Sequence, residues 1–347
     1  MPQKSSIDLG LFCPRKNCPY HNDPNNKIIK DGFYITKADQ ERRQMFCCCG
    51  GKHRFSETSY SGLWGKQGSF KEYEIAAKLC CYGLGVEAIA DTLQKDVRTI
   101  NTWIRCIGKK SNLFHDTMCL HLMMSLLFIQ MDELWSFLGK KKRQMWVFAG
   151  LDVDSRFWIN FQLGSRTNHN AKKLVTGIKS WLKASKDKVL KITTDKLAAY
   201  KNAIASVLED VPHVYMQVVK RRKNKRLVTV KKEFVNGSEK DFTGKTQNTS
   251  YIERFNLTLR QRVSYLHRKT LGFCKKQSNL ETVLWINLFD YNYRTFHKGL
   301  RISLEESSDK QRFKRKWLHR TPAMALGLTQ NSLSWRFLLV APIPITH

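Results

Sequence analysis

Three acidic residues stand out in a sequence that is otherwise strongly basic. Asp132 lies in the apolar run FIQMDELW, Asp195 ends the apolar run LKITTD, and Glu253 lies in YIERFNLTLRQR. An unpaired carboxylate in an apolar strand is costly unless it binds a partner. Carboxylates are ligands that Mg²⁺ prefers, and two such ions roughly 3.5–4 Å apart can catalyse in-line displacement at phosphorus. The three residues are therefore candidate ligands of two Mg²⁺ or Mn²⁺ ions.

Each of these acids also has a plainer interpretation. Asp195 could cap the helix that follows it, and Asp132 and Glu253 could form surface ion pairs. Arg260 lies seven residues after Glu253 and therefore on the same helix face, where it could bind a phosphate.

Three rival acids lie nearby in the sequence. Side chains alternate between the faces of a strand, so we expect Glu133 to point away from Asp132. Asp152 and Asp154 have the pattern of strand-end and turn residues.

Residues 125–300 supply the elements that must position the acids. Three consecutive strands are predicted in SLLFIQMDELWSFL and RQMWVFAGLDVDSRFWINFQLGS, which are rich in β-branched and aromatic residues. A helix, the strand KVLKITTD, a second helix and the strand VPHVYMQVV follow. The predicted fold class is α/β, with a mixed five-stranded sheet and flanking helices. This order of elements resembles ribonuclease H-like folds.

An amphipathic helix is predicted from residue 250 onward, with its apolar stripe through Ile252, Phe255 and Leu259. The preceding segment, residues 220–248, is dense in Lys and Arg. It is either a solvated loop or an arm that contacts DNA beside the acidic residues.

The first 60 residues contain five cysteines, in CPRKNC and FCCCGGKHRF. Two knuckles with closely spaced thiolates are typical of a zinc ribbon, in which one structural Zn²⁺ takes four ligands. The predicted zinc ligands are Cys13, Cys18, Cys47 and Cys49. Cys48 could replace either of the last two, and His21 and His53 are possible fourth ligands. Reduced structural cysteines without a metal are the alternative.

A helix-turn-helix is predicted in KEYEIAAKLCCYGLGVEAIADTLQKDVRTINTWIRCIG. The last helix of such a unit enters the major groove of DNA, and its outer face carries residue types suited to phosphates and base edges. The predicted DNA-binding residues on it are Arg98, Thr99, Asn101 and Thr102. A plain three-helix packing module is the alternative.

The charge balance favours a polyanionic partner. The 347 residues include 60 Lys and Arg against 29 Asp and Glu, a formal net charge of +31. Phosphate contacts by such a surface release condensed counterions, so nucleic acid is expected. An anionic membrane is less well supported, because no lipidation motif or basic amphipathic helix is evident. Without a signal or membrane-spanning segment, the expected location is cytoplasmic, in association with the nucleoid.

Several runs together resemble the transposases of the insertion sequence 1 family: MDELWSFLGKKKRQMWVFAGLD, TTDKLAAY, NTSYIERFNLTLRQRVSYLHRKTLGF, FDYNYRTFHKGLR and TPAMALGL. The resemblance covers most of the chain and implies a DDE triad at Asp132, Asp195 and Glu253, with Arg260 as the downstream basic position. The tri-cysteine knuckle and the long gap between the second and third acids depart from the family pattern.

The resemblance also implies an activity. Such an enzyme binds the terminal inverted repeats of its element as a homo-oligomer on double-stranded DNA, cleaves the strand at each end, and joins the freed 3′-hydroxyl to target DNA. Arg260 and Lys196 would hold phosphates, and Arg294 and His297 either assist nearby or are structural. A non-catalytic DNA-binding regulator and a nuclease without strand transfer are the alternative functions.

The expected domains follow from these assignments. They are a zinc ribbon at 1–62, a helix-turn-helix domain at 63–115, a ribonuclease H-like catalytic domain at 122–305 with the basic insert 220–248, and a tail at 306–347.

Overall fold

The computed structural model describes residues 10–21, 23, 25–36, 39–122, 126–182, 189–224, 226–268, 271–304 and 316–343. Its first element is a three-stranded antiparallel sheet of β1 (Ile28–Ile35), β2 (Arg42–Cys48) and β3 (His53–Ser56). This sheet has a small core of its own, in which the rings of Phe46 and Phe55 stack at 5.6 Å. A core of that size cannot supply much folding free energy, so a metal among the nearby cysteines would matter for its stability.

Three helices follow at the positions predicted for the helix-turn-helix: α1 (Phe70–Cys81), α2 (Val86–Thr92) and α3 (Val97–Leu122). A capping box between Ser69 and Glu72 begins α1. The third helix is 26 residues long and runs past residue 115. Its buried Trp103, Ile107 and Phe114 belong to the same hydrophobic core as the large sheet. The helices therefore pack as part of the main body.

The large sheet has six strands rather than the predicted five. They are β4 (Phe128–Leu138), β5 (Lys140–Asp152), β6 (Trp158–Gly164), β7 (Leu190–Asp195), β8 (His213–Lys223) and β9 (Arg226–Asn236). Their order is β6-β5-β4-β7-β8-β9. The first three strands are antiparallel, as predicted, and β7 and β8 then add parallel to β4.

The sixth strand comes from the basic segment 220–248, which corrects the interpretation as a solvated loop, whereas contact of this segment with DNA stays a prediction. β8 continues into the segment as far as Lys223, and β9 pairs antiparallel with it. The hydrogen bonds of a hairpin can order the segment despite its charge, because an edge strand leaves lysine side chains in water. Composition alone therefore suggested a loop where the backbone forms a strand.

Four helices surround the sheet: α4 (Asn168–Lys179), α5 (Ala198–Val207), α6 (Ser250–Arg262) and α7 (Gln277–Phe289). The first two pack on each other, α6 lies against β4 and β5, and α7 packs on α3. The helix α7 continues into a π-helical turn, Asp290–Arg294.

The C-terminal region predicted as a tail is partly folded into the body. It contains α8 (Pro322–Ala325) and α9 (Trp335–Val340), and Trp335 and Leu338 are fully buried. Lys110 of α3 is also buried, and its Nζ donates to the carbonyl oxygens of Tyr60 at 2.8 Å and Ala341 at 2.6 Å. Residues 306–315 and 344–347 of the predicted tail lie outside the described residues. Within the described part of the chain, no helix has the length and apolar character needed to cross a membrane.

Candidate active site and metal-binding clusters

Two of the predicted acids meet at the edge where β4 and β7 lie side by side. Met131 of β4 is in register with Thr194 of β7, so Asp132 and Asp195 follow next to each other on two parallel strands. Carboxylate oxygens of Asp132, Asp195 and Glu133 all lie within 4.8 Å of one another. The sheet thus gathers three acidic side chains in one place.

The expectation that Glu133 lies away from the other acids is wrong. Strand alternation directs its side chain toward Arg166, whose Nε donates to Glu133 Oε1 at 2.7 Å. The pairing of β4 with β7 stops at Met131, however, so beyond that point β4 has a paired strand only on its β5 side. The longer glutamate side chain therefore brings its carboxylate close to Asp132. Its second oxygen, Oε2, is buried without a hydrogen-bond partner among the described residues.

Glu253 lies on the exposed side of α6 and lines the same cavity, of about 400 Å³, as Asp132 and Glu133. Its carboxylate is not within the close group of three acids. Instead, Glu253 Oε1 forms an ion pair with Lys220 and accepts from Thr249 Oγ1 at 2.5 Å. The third predicted ligand is therefore beside the cluster but turned toward a lysine of β8.

The apolar side of α6 fixes this helix on the sheet. Ile252, Phe255 and Leu259 are buried, and the ring of Phe255 lies 4.9 Å from that of Trp158. Buried Gln130 adds two hydrogen bonds. Its amide oxygen accepts from the backbone N–H of Ile252 at 2.9 Å, and its amide nitrogen donates to the Asn248 carbonyl oxygen at 2.6 Å. These contacts position the face of α6 that borders the acids.

Asn256 is a site residue that the sequence analysis missed. Its Nδ2 donates to Asp132 Oδ2 at 2.9 Å, while its Oδ1 is buried without a described partner. The signal was available, since Asn256 lies one helical turn after Glu253 and one turn before Arg260. The guanidinium of Arg260 lines the cavity and donates to the carbonyl oxygens of Leu266 at 3.1 Å and Trp135 at 3.3 Å.

Arg166 was missed as well, and nothing in the spacing marks it. Besides its ion pair with Glu133, it lies 3.9 Å from Asp195 and stacks over the ring of Trp146 at 4.9 Å. Arg166, in the loop between β6 and α4, therefore places a positive charge beside the acidic cluster.

Burial and mutual repulsion raise the pKa values of the clustered acids. Burial is the main cause of the rise in the pKa of Asp132 to about 7, and the charges of Asp195, Glu133 and Glu253 add to it. Burial likewise raises the pKa values of Asp195 and Glu133. The cluster holds more negative charge than Arg166 neutralises, and hard oxygen ligands with unsatisfied atoms suit a divalent cation. The residues present therefore fit the predicted kind of metal site.

The other two rival acids, Asp152 and Asp154, have the structural positions expected of them. Asp152 ends β5 and accepts from the backbone N–H of Ser155 at 2.9 Å. Asp154 is exposed in the following turn and lies 3.5 Å from Lys245.

Four of the residues predicted to contact DNA lie together at the start of α3, and the fifth, Lys196, follows β7. Arg98 is exposed at the start of α3, whereas Asn101 and Thr102 donate to carbonyl oxygens of their own helix, at 3.0 and 2.9 Å. Thr99 is half-buried. Lys196, next to Asp195, forms an ion pair with Glu233 of β9 at 2.7 Å.

A second cluster unites cysteines and a histidine in the N-terminal sheet. Cys13, Cys18, Cys48 and His53 offer ligand atoms within 4.8 Å of one another. Cys13 Sγ lies 3.2 Å from His53 Nε2, and Cys18 Sγ lies 4.0 Å from Cys48 Sγ. Three thiols and one imidazole form a donor set that suits a tetrahedral zinc site.

The close group contains two of the predicted ligands, Cys13 and Cys18, together with Cys48 and His53, which the sequence analysis named as alternatives. The tri-cysteine lies at the end of β2, where alternate side chains face opposite sides. Cys48 points inward and is fully buried, while Cys47 is half-buried and Cys49 is exposed. The Nδ1 atom of His21 interacts instead with the Cys13 carbonyl oxygen at 2.6 Å.

Comparison with known proteins identifies the class of protein that this sheet and its acids represent. Residues 125–238 match the family model described as IS1 transposase, which includes Asp132 and Asp195 and ends before Glu253. The insertion element iso-IS1n protein InsB of Shigella dysenteriae is 26% identical over 158 residues, which are 46% of this chain and 91% of that protein. The insertion element IS1 protein InsB of Shigella flexneri is 25% identical over 164 residues, which are 47% of this chain and 95% of that protein.

The chain is thus related to transposases. Residues 125–238 are similar to the transposases of insertion sequence 1, and the resemblance predicted from the sequence is confirmed over this segment. A solved structure, the piggyBac transposase in a synaptic complex with hairpin DNA, is also similar, with 11% identity and a TM-score of 0.34 over 65% of this chain and 66% of that one.

Proposed function

We propose that the protein is a transposase that cleaves and joins DNA strands at the cavity between β4, β7 and α6. The observation that carries this proposal is the convergence of Asp132, Glu133 and Asp195 at the ends of adjacent parallel strands, inside the segment related to IS1 transposases. We further propose that the domain 122–305 is ribonuclease H-like, which the order of its first five strands supports.

Asp132, Asp195 and Glu253 are the proposed ligands of two Mg²⁺ or Mn²⁺ ions. Bound at this place, the ions would supply the Lewis acidity for in-line displacement at phosphorus. Glu253 would join Asp132 and Asp195 by leaving Lys220 and turning into the cavity that it lines together with Asp132. Glu133 either binds a cation through its free oxygen or holds Arg166 in place.

The residues around the acids have separate proposed roles. Asn256 orients the Asp132 carboxylate through the hydrogen bond to Oδ2. Arg260 lines the cavity, and Lys196 and Lys220 lie at its β7–β8 side, so these cations can contact the phosphates of the scissile strand.

The N-terminal 115 residues are proposed to bind DNA. We propose a zinc ribbon at 1–62, with Zn²⁺ held by Cys13, Cys18, Cys48 and His53, and a helix-turn-helix domain at 63–115 that presents Arg98, Thr99, Asn101 and Thr102 to the terminal inverted repeats. The exposed Arg98 at the start of α3 supports that orientation. Action as a homo-oligomer on two element ends, in the nucleoid, belongs to the same proposal.

The test is a strand-cleavage and joining assay on labelled DNA that carries the ends of the element, with Mg²⁺. Asp132→Asn and Asp195→Asn should each abolish both products, and Glu253→Gln should do the same if it binds a cation. Asp154→Asn is the matched control, because Asp154 is an exposed acid of the same domain outside the cluster. Cleavage that persists in Asp132→Asn would refute the site, and cleavage without a joined product would favour a nuclease.

A further inference from the structure

A second cavity, of about 830 Å³, lies on the opposite side of α6 from the acids. Arg254 and Arg262 line it, whereas Glu253 and Arg260 line the acidic cavity, and Gln261 borders both. One helix therefore separates an acidic cavity from a second cavity of different chemistry.

The second cavity is strongly cationic. Its only described acid is Asp290, which forms ion pairs with Arg262 and with Arg294, the latter at 3.0 Å. Its basic residues are Lys78, Arg156, Arg254, Arg262, Arg294 and Lys298. Within the described ranges, no carboxylate lies within ion-pair distance of Arg156, Arg254 or Lys298. Three positive charges at one cavity are thus left without a counter-charge.

Aromatic rings lie among these charges. The guanidinium of Arg156 stacks over the ring of Tyr251 at 4.0 Å, and Tyr82 is 72% exposed at the rim. The Nε2 atom of His297 is buried in the wall without a hydrogen-bond partner among the described residues. Unpaired cations beside accessible aromatic faces are the combination that binds single nucleic-acid strands, through phosphates and stacked bases.

The size of the cavity limits its occupant. Pockets of roughly 300–1,000 Å³ hold small molecules and cofactors, so a nucleotide or two can enter but a duplex cannot. We propose that this cavity binds unpaired nucleotides of a DNA strand, with their phosphates at Arg254, Lys298 and Arg156. The inference rests on the proposed function, because only a DNA-processing protein would bring such a strand to α6.

The experiment measures the affinity of the full chain, without Mg²⁺, for a fluorescent duplex with a short single-stranded overhang and for the same duplex with blunt ends. The variant is Arg254→Ala with Lys298→Ala, two exposed residues whose loss should leave the fold intact. The control is Lys172→Ala with Lys173→Ala, which removes the same charge from the exposed side of α4. Thermal melting checks that both proteins are folded.

The wild type and the control should prefer the overhang, and the cavity variant should lose that preference. Each single-strand phosphate contact contributes about 0.7 to the slope of log affinity against log salt, so the variant should lose about 1.4 from the slope with the overhang. An unchanged preference in the cavity variant, or an equal loss in the control, would overturn the proposal.

Two further measurements separate the possible explanations. If a free deoxynucleoside monophosphate competes as strongly as the overhang, the ligand is a free nucleotide and the strand proposal is wrong. Cleavage is measured separately with Mg²⁺: failure of the wild type to cleave would refute the proposed function, whereas a wild type that cleaves but does not prefer the overhang would refute only this inference.

Discussion

Replacing Asp132 by Asn should stabilise the metal-free protein, and the effect should depend on pH. Burial together with neighbouring acids raises the pKa of Asp132 from 3.8 to about 7. Because the folded-state pKa lies above the unfolded one, ionisation opposes folding: the penalty is absent below about pH 4, grows between pH 4 and 7, and is complete above pH 7. Each pKa unit corresponds to about 1.4 kcal/mol, so the full penalty is about 4 kcal/mol, and about 1.5 kcal/mol at pH 5.

The amide of the variant can still accept the hydrogen bond from Asn256, so the substitution removes charge while keeping shape and contact. Urea unfolding in buffer without divalent ions, at pH 5 and pH 8, measures the difference in free energy of unfolding. Asp154→Asn, at an exposed position, should leave stability unchanged.

Added Mg²⁺ should then reverse the order of stability. An ion that binds only the folded state stabilises it in proportion to the logarithm of its concentration over Kd, and the variant lacks a ligand. An Asp132→Asn protein that is less stable than the wild type at pH 8 without Mg²⁺, or that gains as much as the wild type from Mg²⁺, would refute this account of the acidic cluster.

Three other perturbations test neighbouring parts of the structure. Cys48→Ser should lower the zinc content of the purified protein by metal analysis, whereas Cys47→Ser should leave it unchanged; equal zinc in the two variants would contradict the proposed ligand set. Asn256→Ala should lower the cleavage rate and cost about 1 kcal/mol of stability, because the carboxylate of Asp132 loses a donor; a wild-type rate would show that this contact does not position the carboxylate. Burial lowers the pKa of Lys110 to about 7, so wild-type stability should rise between pH 7 and 10, where the unfolded chain binds the extra proton, and Lys110→Met should flatten that rise; an equal rise in both proteins would assign it to other groups.

The sequence was informative where one physical rule decided the outcome. A charged Asp132 in an apolar strand predicted a functional acid, and the alternation of strands and helices predicted that the sheet brings Asp195 to it. Asp195 meets Asp132 because parallel neighbours end at the same edge, a consequence of topology rather than of local sequence.

The sequence was uninformative where it was compatible with several arrangements and the tertiary structure determined which of them formed. Three consecutive cysteines allow several ligand sets, and only the direction of β2 at its end selects Cys48. Strand alternation misplaced the Glu133 carboxylate because the rule describes a strand paired on both sides. High charge suggested a loop at residues 220–248, although an edge hairpin tolerates lysines equally well.

The position of α6 at the acidic site depends on hydrogen bonds that two residues of β4 form with it. Gln130 and Asp132 are two residues apart and therefore share one face of β4. Gln130 holds the first turn of α6 by both atoms of its amide, and Asp132 receives the amide of Asn256 one turn later. Two contacts from one strand to one helix fix both its position and its rotation. The same rotation places Glu253 at the acidic cavity and Arg254 at the cationic cavity, so the sheet sets which side of α6 faces each of the two cavities.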